Sequence, residues 1–203
     1  MLRLLALHGQ TLNGAFMRQE LAWLETPGVE LVCPDGPVAC DEGVVDRLYS
    51  VWDAPRQPPP HRAWWDATDD GRVYRGWEAT RDLLAPLLEP APVAILGFSQ
   101  GAILATALAA LAQNGELPPI DRVVLIGGRP PRADLLAPFL AEPIRLPSLH
   151  VWGENDLLAR DTSRELVDRF DPATRVVATW PGGHAIPSTG PAASAIDHFV
   201  ARA

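Results

Sequence analysis

The amino-acid sequence predicts an α/β fold, a mostly parallel sheet of about six strands with helices on both faces. Two observations carry that prediction. Short apolar runs alternate with stretches of helical spacing along the 203 residues, and most of the apolar runs close on Gly, Pro or Asp. One such run also leads straight into a Gly-x-Ser-x-Gly turn that opens an alanine-rich stretch of strong helix propensity. With 47% hydrophobic residues the chain can bury a large single core.

Residues 3–7 are apolar and stop at His8-Gly9, which reads as a first strand and is too short for the apolar core of a signal peptide. Helical spacing follows over 15–25, then a strand run at 30–33. Segment 36–72 breaks the rhythm, holding Pro55, Pro58-Pro59-Pro60, several Asp, and Trp52, Trp64 and Trp65. It reads as a long irregular insertion with two roles open to it: a surface loop folded over its own aromatics, or a wall of a substrate pocket. Helical spacing resumes over 73–88, the apolar run 92–96 enters the serine turn, and 100–113 is the helix beyond it. Strand runs at 122–126, 148–152 and 175–180 then alternate with helical stretches at 132–140, 160–170 and 192–202. Pro118-Pro119 and Pro130-Pro131 punctuate the connections, because a residue with a fixed φ and no N–H continues neither a helix nor an inner strand. Neither pair has the character of an interdomain linker, so residues 1–203 are read as a single domain.

The formal net charge of −8 argues against nucleic acid or an anionic membrane surface as the main partner, and no basic cluster overturns it. No run approaches the roughly 18 apolar residues of a membrane span. Cys33 and Cys40 fit neither a metal-ligand nor a Cys-x-x-Cys pattern and read as reduced thiols of a cytoplasmic protein.

In Gly97-Phe98-Ser99-Gln100-Gly101 the strand–turn–helix context makes Ser99 a candidate nucleophile. The serine needs a sharp, strained turn, and side chains at the two glycines would collide with the neighbouring strand and helix. The turn leaves the Gln100 N–H at a helix start, where free donors favour developing negative charge. A base is expected late in the chain, and His184 follows the last strand run in Pro181-Gly182-Gly183-His184. Of the other histidines, His150 lies within an apolar strand, His198 on the terminal helix and His61 in the insertion; His8, right after the first strand, reads as loop-shaping. The acid that holds the base is expected after the strand at 148–152, where Asp156 is preferred over Glu154, close to the strand end, and Asp161, a first-turn acid of the next helix. A second oxyanion donor normally comes from the loop after the first strand, which points to the Gln10 N–H and then to Thr11. Trp64, Trp65 and Phe98, with Thr11, are candidate substrate contacts.

Together with these residues, Leu7-His8-Gly9, Asn13-Gly14, Ala63-Trp64-Trp65, Gly127-Gly128-Arg129-Pro130, Gly153-Glu154-Asn155-Asp156 and Gly182 to Pro187 make the sequence resemble the FSH1-type serine hydrolases. The resemblance runs over most of the chain. It implies an α/β-hydrolase core without a large lid domain, cleaving carboxylic esters or thioesters of short to medium acyl chains, with a small-molecule substrate and neither a metal nor an organic cofactor. Gly127-Gly128 stands where a Ser-Gly pair is common in that family, and the insertion is richer in Pro and Asp. Two rivals to a hydrolase are an acyltransferase with the same three residues and a non-catalytic binding scaffold. The oligomeric state is not legible from the sequence.

Overall fold

The structure, a computed structural model, describes residues 1–89 and 93–201. Pro92, which opens the apolar run before Gly97, and Arg202, expected to end the last helix, lie outside the described residues.

Six parallel strands form the central sheet: β1 (Leu2–Leu7), β2 (Val29–Val32), β3 (Val93–Phe98), β4 (Arg122–Ile126), β5 (Ser148–Gly153) and β6 (Arg175–Trp180). Their order is β6-β5-β4-β3-β1-β2. Each strand bends its side chains to opposite faces with period 2. Leu5 and Leu7 of β1, with Val93 and Ile95 of β3, enter one core cluster; Leu4, Ala6, Ala94 and Leu96 enter a second on the other face. Because both faces are covered, the inner strands are apolar throughout rather than alternating.

Helices α1 (Gly14–Glu20) and α6 (Gly190–Ala201) supply Met17, Ile196 and Val200 to the second cluster. The first cluster is closed by α3 (Trp77–Leu84), α4 (Gln100–Gln113) and α5 (Arg160–Val167). Residues 100–111 of α4 are all buried, the behaviour of a helix that is apolar around its whole circumference. No described helix is long and apolar enough to cross a membrane.

Several expected helices are shorter than the pattern suggested, each for a local reason. The one at 15–25 breaks at Leu21 and continues as a 3₁₀ turn over Ala22–Leu24. That at 73–88 starts only at Trp77, because Tyr74–Arg75 pairs with Asp66–Ala67 and Gly76 takes φ +89°. Segment 132–140 is 3₁₀ over Asp134–Leu140, with Pro138 inside it.

The insertion is more ordered than its proline content suggested. It holds α2 (Glu42–Tyr49), whose N-terminus is capped by Asp41 accepting the Val44 N–H at 2.8 Å. Val38–Ala39 also pairs antiparallel with Arg62–Ala63. The Asp41 cap followed by Val45, Leu48, Tyr49 and Trp52 at helical spacing was the available signal. Proline density outweighed it.

The strand order places the site. After β1 the chain moves to β2 on one side, whereas β3 joins β1 on the other, so the loops leaving β1 and β3 diverge and open a crevice at their carboxyl ends.

Candidate active site

Ser99 follows β3 at that crevice with φ +54° and ψ −115°, and with Thr11 it is one of two non-glycine residues at positive φ among the described residues. Such a conformation stores about 1–3 kcal/mol of strain and persists only where its surroundings hold it. The Ser99 N–H is fixed to the Ile126 carbonyl at 2.8 Å. A Cβ on Gly97 would run into the Gly101 carbonyl, and one on Gly101 into the Leu7 carbonyl of β1. The two glycines therefore let strand, turn and helix close on one another around the serine.

Asp156 and His184 leave β5 and β6 at the same edge. The His184 Nδ1–H donates to Asp156 Oδ2 at 2.8 Å, while Asp156 Oδ1 accepts the N–H groups of Leu158 and Ala159 at 2.9 and 2.8 Å. With Nδ1 as the donor, Nε2 is left as the acceptor. Asp156 is 2% exposed. Glu154 instead accepts from the Thr179 hydroxyl, and Asp161 pairs with Arg160 and Arg164 at the surface. Ser99 and His184 line one pocket of about 200 Å³, with Gly127, Gly128, Leu158 and Thr162 on its walls. Among the described residues the Ser99 hydroxyl makes no hydrogen bond to His184 within 3.5 Å.

The imidazole has a close-fitted seat. A Cβ on Gly127, which takes φ +59°, would lie 3.0 Å from His184 Cε1 and Nδ1. Phe98 tilts against the His184 ring at 4.9 Å, and Trp52 meets its edge at 5.9 Å. The Trp52 indole N–H also donates to the His184 carbonyl at 2.8 Å, tying the insertion to the histidine loop. Sequence reasoning noted Trp52 only as a member of the insertion.

Gln10 and Gln100 both line the larger groove at Ser99. As the first residue of α4, Gln100 has no intrahelical acceptor for its N–H. The Gln10 N–H also has no protein acceptor among the described residues, whereas the Thr11 N–H is taken by the Arg62 carbonyl at 2.8 Å. Thr11 is fully buried and its hydroxyl has no partner among the described residues, so it offers no surface to a substrate. His8 shapes this loop: its Nδ1–H donates to the Gly9 carbonyl at 2.8 Å and its Nε2 accepts the Gly36 N–H at 2.8 Å. Burial pulls its pKa down to about 4, which keeps the ring neutral in that role.

The aromatic candidates separate. Trp65 lines the groove of about 430 Å³ at Ser99, and Phe98 lines a narrow space with Gly9, Gln10 and Trp52. Trp64 is fully buried, stacked on His8 at 4.7 Å, and its indole N–H donates to the His8 carbonyl at 2.8 Å. It lies behind the site rather than in it. The Gln100 side chain accepts the Trp64 N–H at 2.9 Å and donates to the Trp65 carbonyl at 3.0 Å. The outer wall of the groove comes from α2 and the turn after it, through Val44, Arg47, Leu48 and Val51, with Arg129 opposite. None of these five was singled out as a site residue in the sequence; the helix that carries three of them, and the turn that carries Val51, were hidden in a segment read as irregular.

Residues 1–196 match the family described as serine hydrolase (FSH1). Among curated proteins, the chain is 37% identical over 191 residues to Esterase OVCA2 of Bos taurus, covering 84% of this chain and 82% of that one. It is 34% identical over 188 residues to Esterase OVCA2 of Homo sapiens, with the same shares. Among solved structures, Zea mays acyl-protein thioesterase 2 superposes with a TM-score of 0.67 at 20% identity, covering 98% of this chain and 91% of that one. Arabidopsis thaliana SOBER1 superposes with a TM-score of 0.67 at 15% identity, covering 98% and 97%. At those identities the two structures speak for the α/β-hydrolase fold alone.

Proposed function

Because the chain belongs to the FSH1 serine hydrolase family and is an ester-cleaving hydrolase, we propose that Ser99, His184 and Asp156 form its catalytic triad and that it cleaves short- to medium-chain acyl esters or thioesters. His184 Nε2 takes the Ser99 proton as Oγ attacks the acyl carbonyl. The N–H groups of Gln100 and Gln10 hold the oxyanion, and the proton passes to the leaving alcohol or thiol. Water, deprotonated by the same histidine, then resolves the acyl-enzyme and frees the acid. Asp156 keeps the imidazole in the tautomer that presents Nε2 and stabilises the imidazolium that forms. Trp65 and Phe98 supply apolar surface to the substrate; Trp64 and Thr11 act from behind it.

One observation carries this reading: a buried carboxylate, itself fixed by two backbone N–H groups, orients a histidine that shares a pocket with a serine held in a strained turn. Residues 1–203 are taken as one domain because both core clusters lie on the same sheet, and a cytoplasmic location is supported by Cys33 and Cys40 being free thiols. The test is labelling by a fluorophosphonate, which forms a stable bond to an activated serine. Wild type labels, whereas Ser99→Ala and His184→Ala do not; labelling that survives Ser99→Ala would refute the assignment.

A further inference from the structure

The acyl chemistry makes no use of Arg129 or Arg47, yet both line the groove that opens on Ser99. Arg129 also lines the smaller pocket beside His184, so it stands where the two spaces at the nucleophile meet. It is half-buried, and among the described residues no Asp or Glu lies within 4.0 Å of its guanidinium or of that of Arg47. The charged group that acts on Arg129 is another cation, Arg132; burial first, then Arg132, lowers its pKa below the ordinary arginine value. Asp66, the acid on the groove wall, is already committed to Arg75 at 2.9 Å.

The groove therefore holds two positive charges with no acid in direct contact among the described residues, in a chain whose formal net charge is −8. A partly desolvated cation without a counter-charge is costly to the folded state. An anionic group on the ligand removes that cost, and the planar guanidinium fork suits carboxylate and phosphate oxygens.

We propose that Arg129, assisted by Arg47, is an anion subsite that selects esters or thioesters bearing a carboxylate or phosphate group away from the scissile carbonyl. The inference rests on the assignment of Ser99 as nucleophile.

Two substrate pairs test it and distinguish the anions. The p-nitrophenyl half-ester of glutaric acid against p-nitrophenyl butyrate reads a carboxylate, and a coenzyme A thioester against the N-acetylcysteamine thioester of the same acid reads phosphates. Wild type is expected to favour the anionic member of at least one pair in kcat/KM. Arg129→Gln should cut that preference about ten- to a hundredfold, the factor for losing a hydrogen bond to a charged group, and Arg129→Lys should cut it less. Arg164→Gln, at an exposed arginine of α5 that lines neither pocket, should keep the wild-type preference. Independently of any variant's folding, glutarate or inorganic phosphate should slow fluorophosphonate labelling of wild-type Ser99, and added salt should weaken that protection. The proposal is overturned if wild type prefers neither anion and neither anion protects, or if the preference survives Arg129→Gln combined with Arg47→Gln. Absence of Ser99 labelling would sink the triad and this inference together. Normal labelling and neutral-ester turnover with no anion preference or protection would sink this inference alone.

Discussion

Replacing Trp52 by phenylalanine keeps an aromatic face against Phe98 and Tyr49 and removes one hydrogen bond, the 2.8 Å contact from the indole N–H to the His184 carbonyl. Trp52 is 8% exposed and His184 half-buried, so the carbonyl it leaves behind recovers water only in part. An acceptor stranded in this way costs about 1–3 kcal/mol. For a domain of this size each kcal/mol is about 2–4 °C, so the thermal midpoint should fall by about 2–12 °C. The larger consequence is for the histidine loop, which loses its tether to the insertion. If misplacing a catalytic group by 1 Å costs about a hundredfold, a drift of about 0.3–0.5 Å costs roughly four- to tenfold. That loss should sit in kcat on p-nitrophenyl butyrate rather than in KM, with fluorophosphonate labelling slowed in parallel. A variant with the expected drop in midpoint but kcat within twofold of wild type would show that Trp52 only packs, and the positioning argument would fail.

Asp156→Asn should separate rate from stability. Asparagine keeps an oxygen for the Leu158 and Ala159 N–H groups but turns an amide donor toward His184 Nδ1, which favours the tautomer with its proton on Nε2 facing Ser99. The expected loss in kcat/KM is about 10⁴-fold, with a thermal midpoint close to wild type; a loss below tenfold would reject Asp156 as the acid. Acid should destabilise the fold well above the carboxylate range. Burial lowers the pKa values of His8 and His150 to about 4 each, against about 6.5 unfolded, so below pH 6.5 the unfolded chain binds the extra protons and stability falls until about pH 4. Between pH 7 and 5 each histidine should remove about 2 kcal/mol. Equal thermal midpoints at pH 7 and pH 5 would contradict the buried neutral state of both rings.

The parallel sheet was legible because each inner strand is buried on both faces and reads as an unbroken apolar run, as in residues 93–98. The serine turn was legible because its glycines answer a backbone collision that no side chain can avoid. What stayed hidden depends on contacts between segments far apart in the chain. Nothing in the spacing around Trp52 says that its N–H meets a carbonyl 132 residues away, and nothing around Arg129 says that it has no acid partner among the described residues. The helix Glu42–Tyr49 was hidden for a different reason, since Gly43 and the prolines that follow weaken a local pattern whose Asp41 cap was nonetheless present.

The displacement of Trp64 from pocket wall to buried core has a mechanistic consequence. Its indole N–H holds the His8 carbonyl, immediately before Gly9-Gln10, and its backbone N–H holds the Gln100 side chain. The two residues proposed to donate to the oxyanion therefore belong to elements gripped by one tryptophan from the insertion. Stabilising a developing negative charge requires donors fixed before the reaction begins, because reorganising them during the step would forfeit the gain. Neither β1 nor α4 alone can set the spacing between the two N–H groups, since they come from separate elements on opposite sides of the switch point. A rigid residue that hydrogen-bonds to both can. In the proposed mechanism the insertion thus acts from two directions, with Trp64 bracing the proposed oxyanion donors and Trp52 bracing the proposed base.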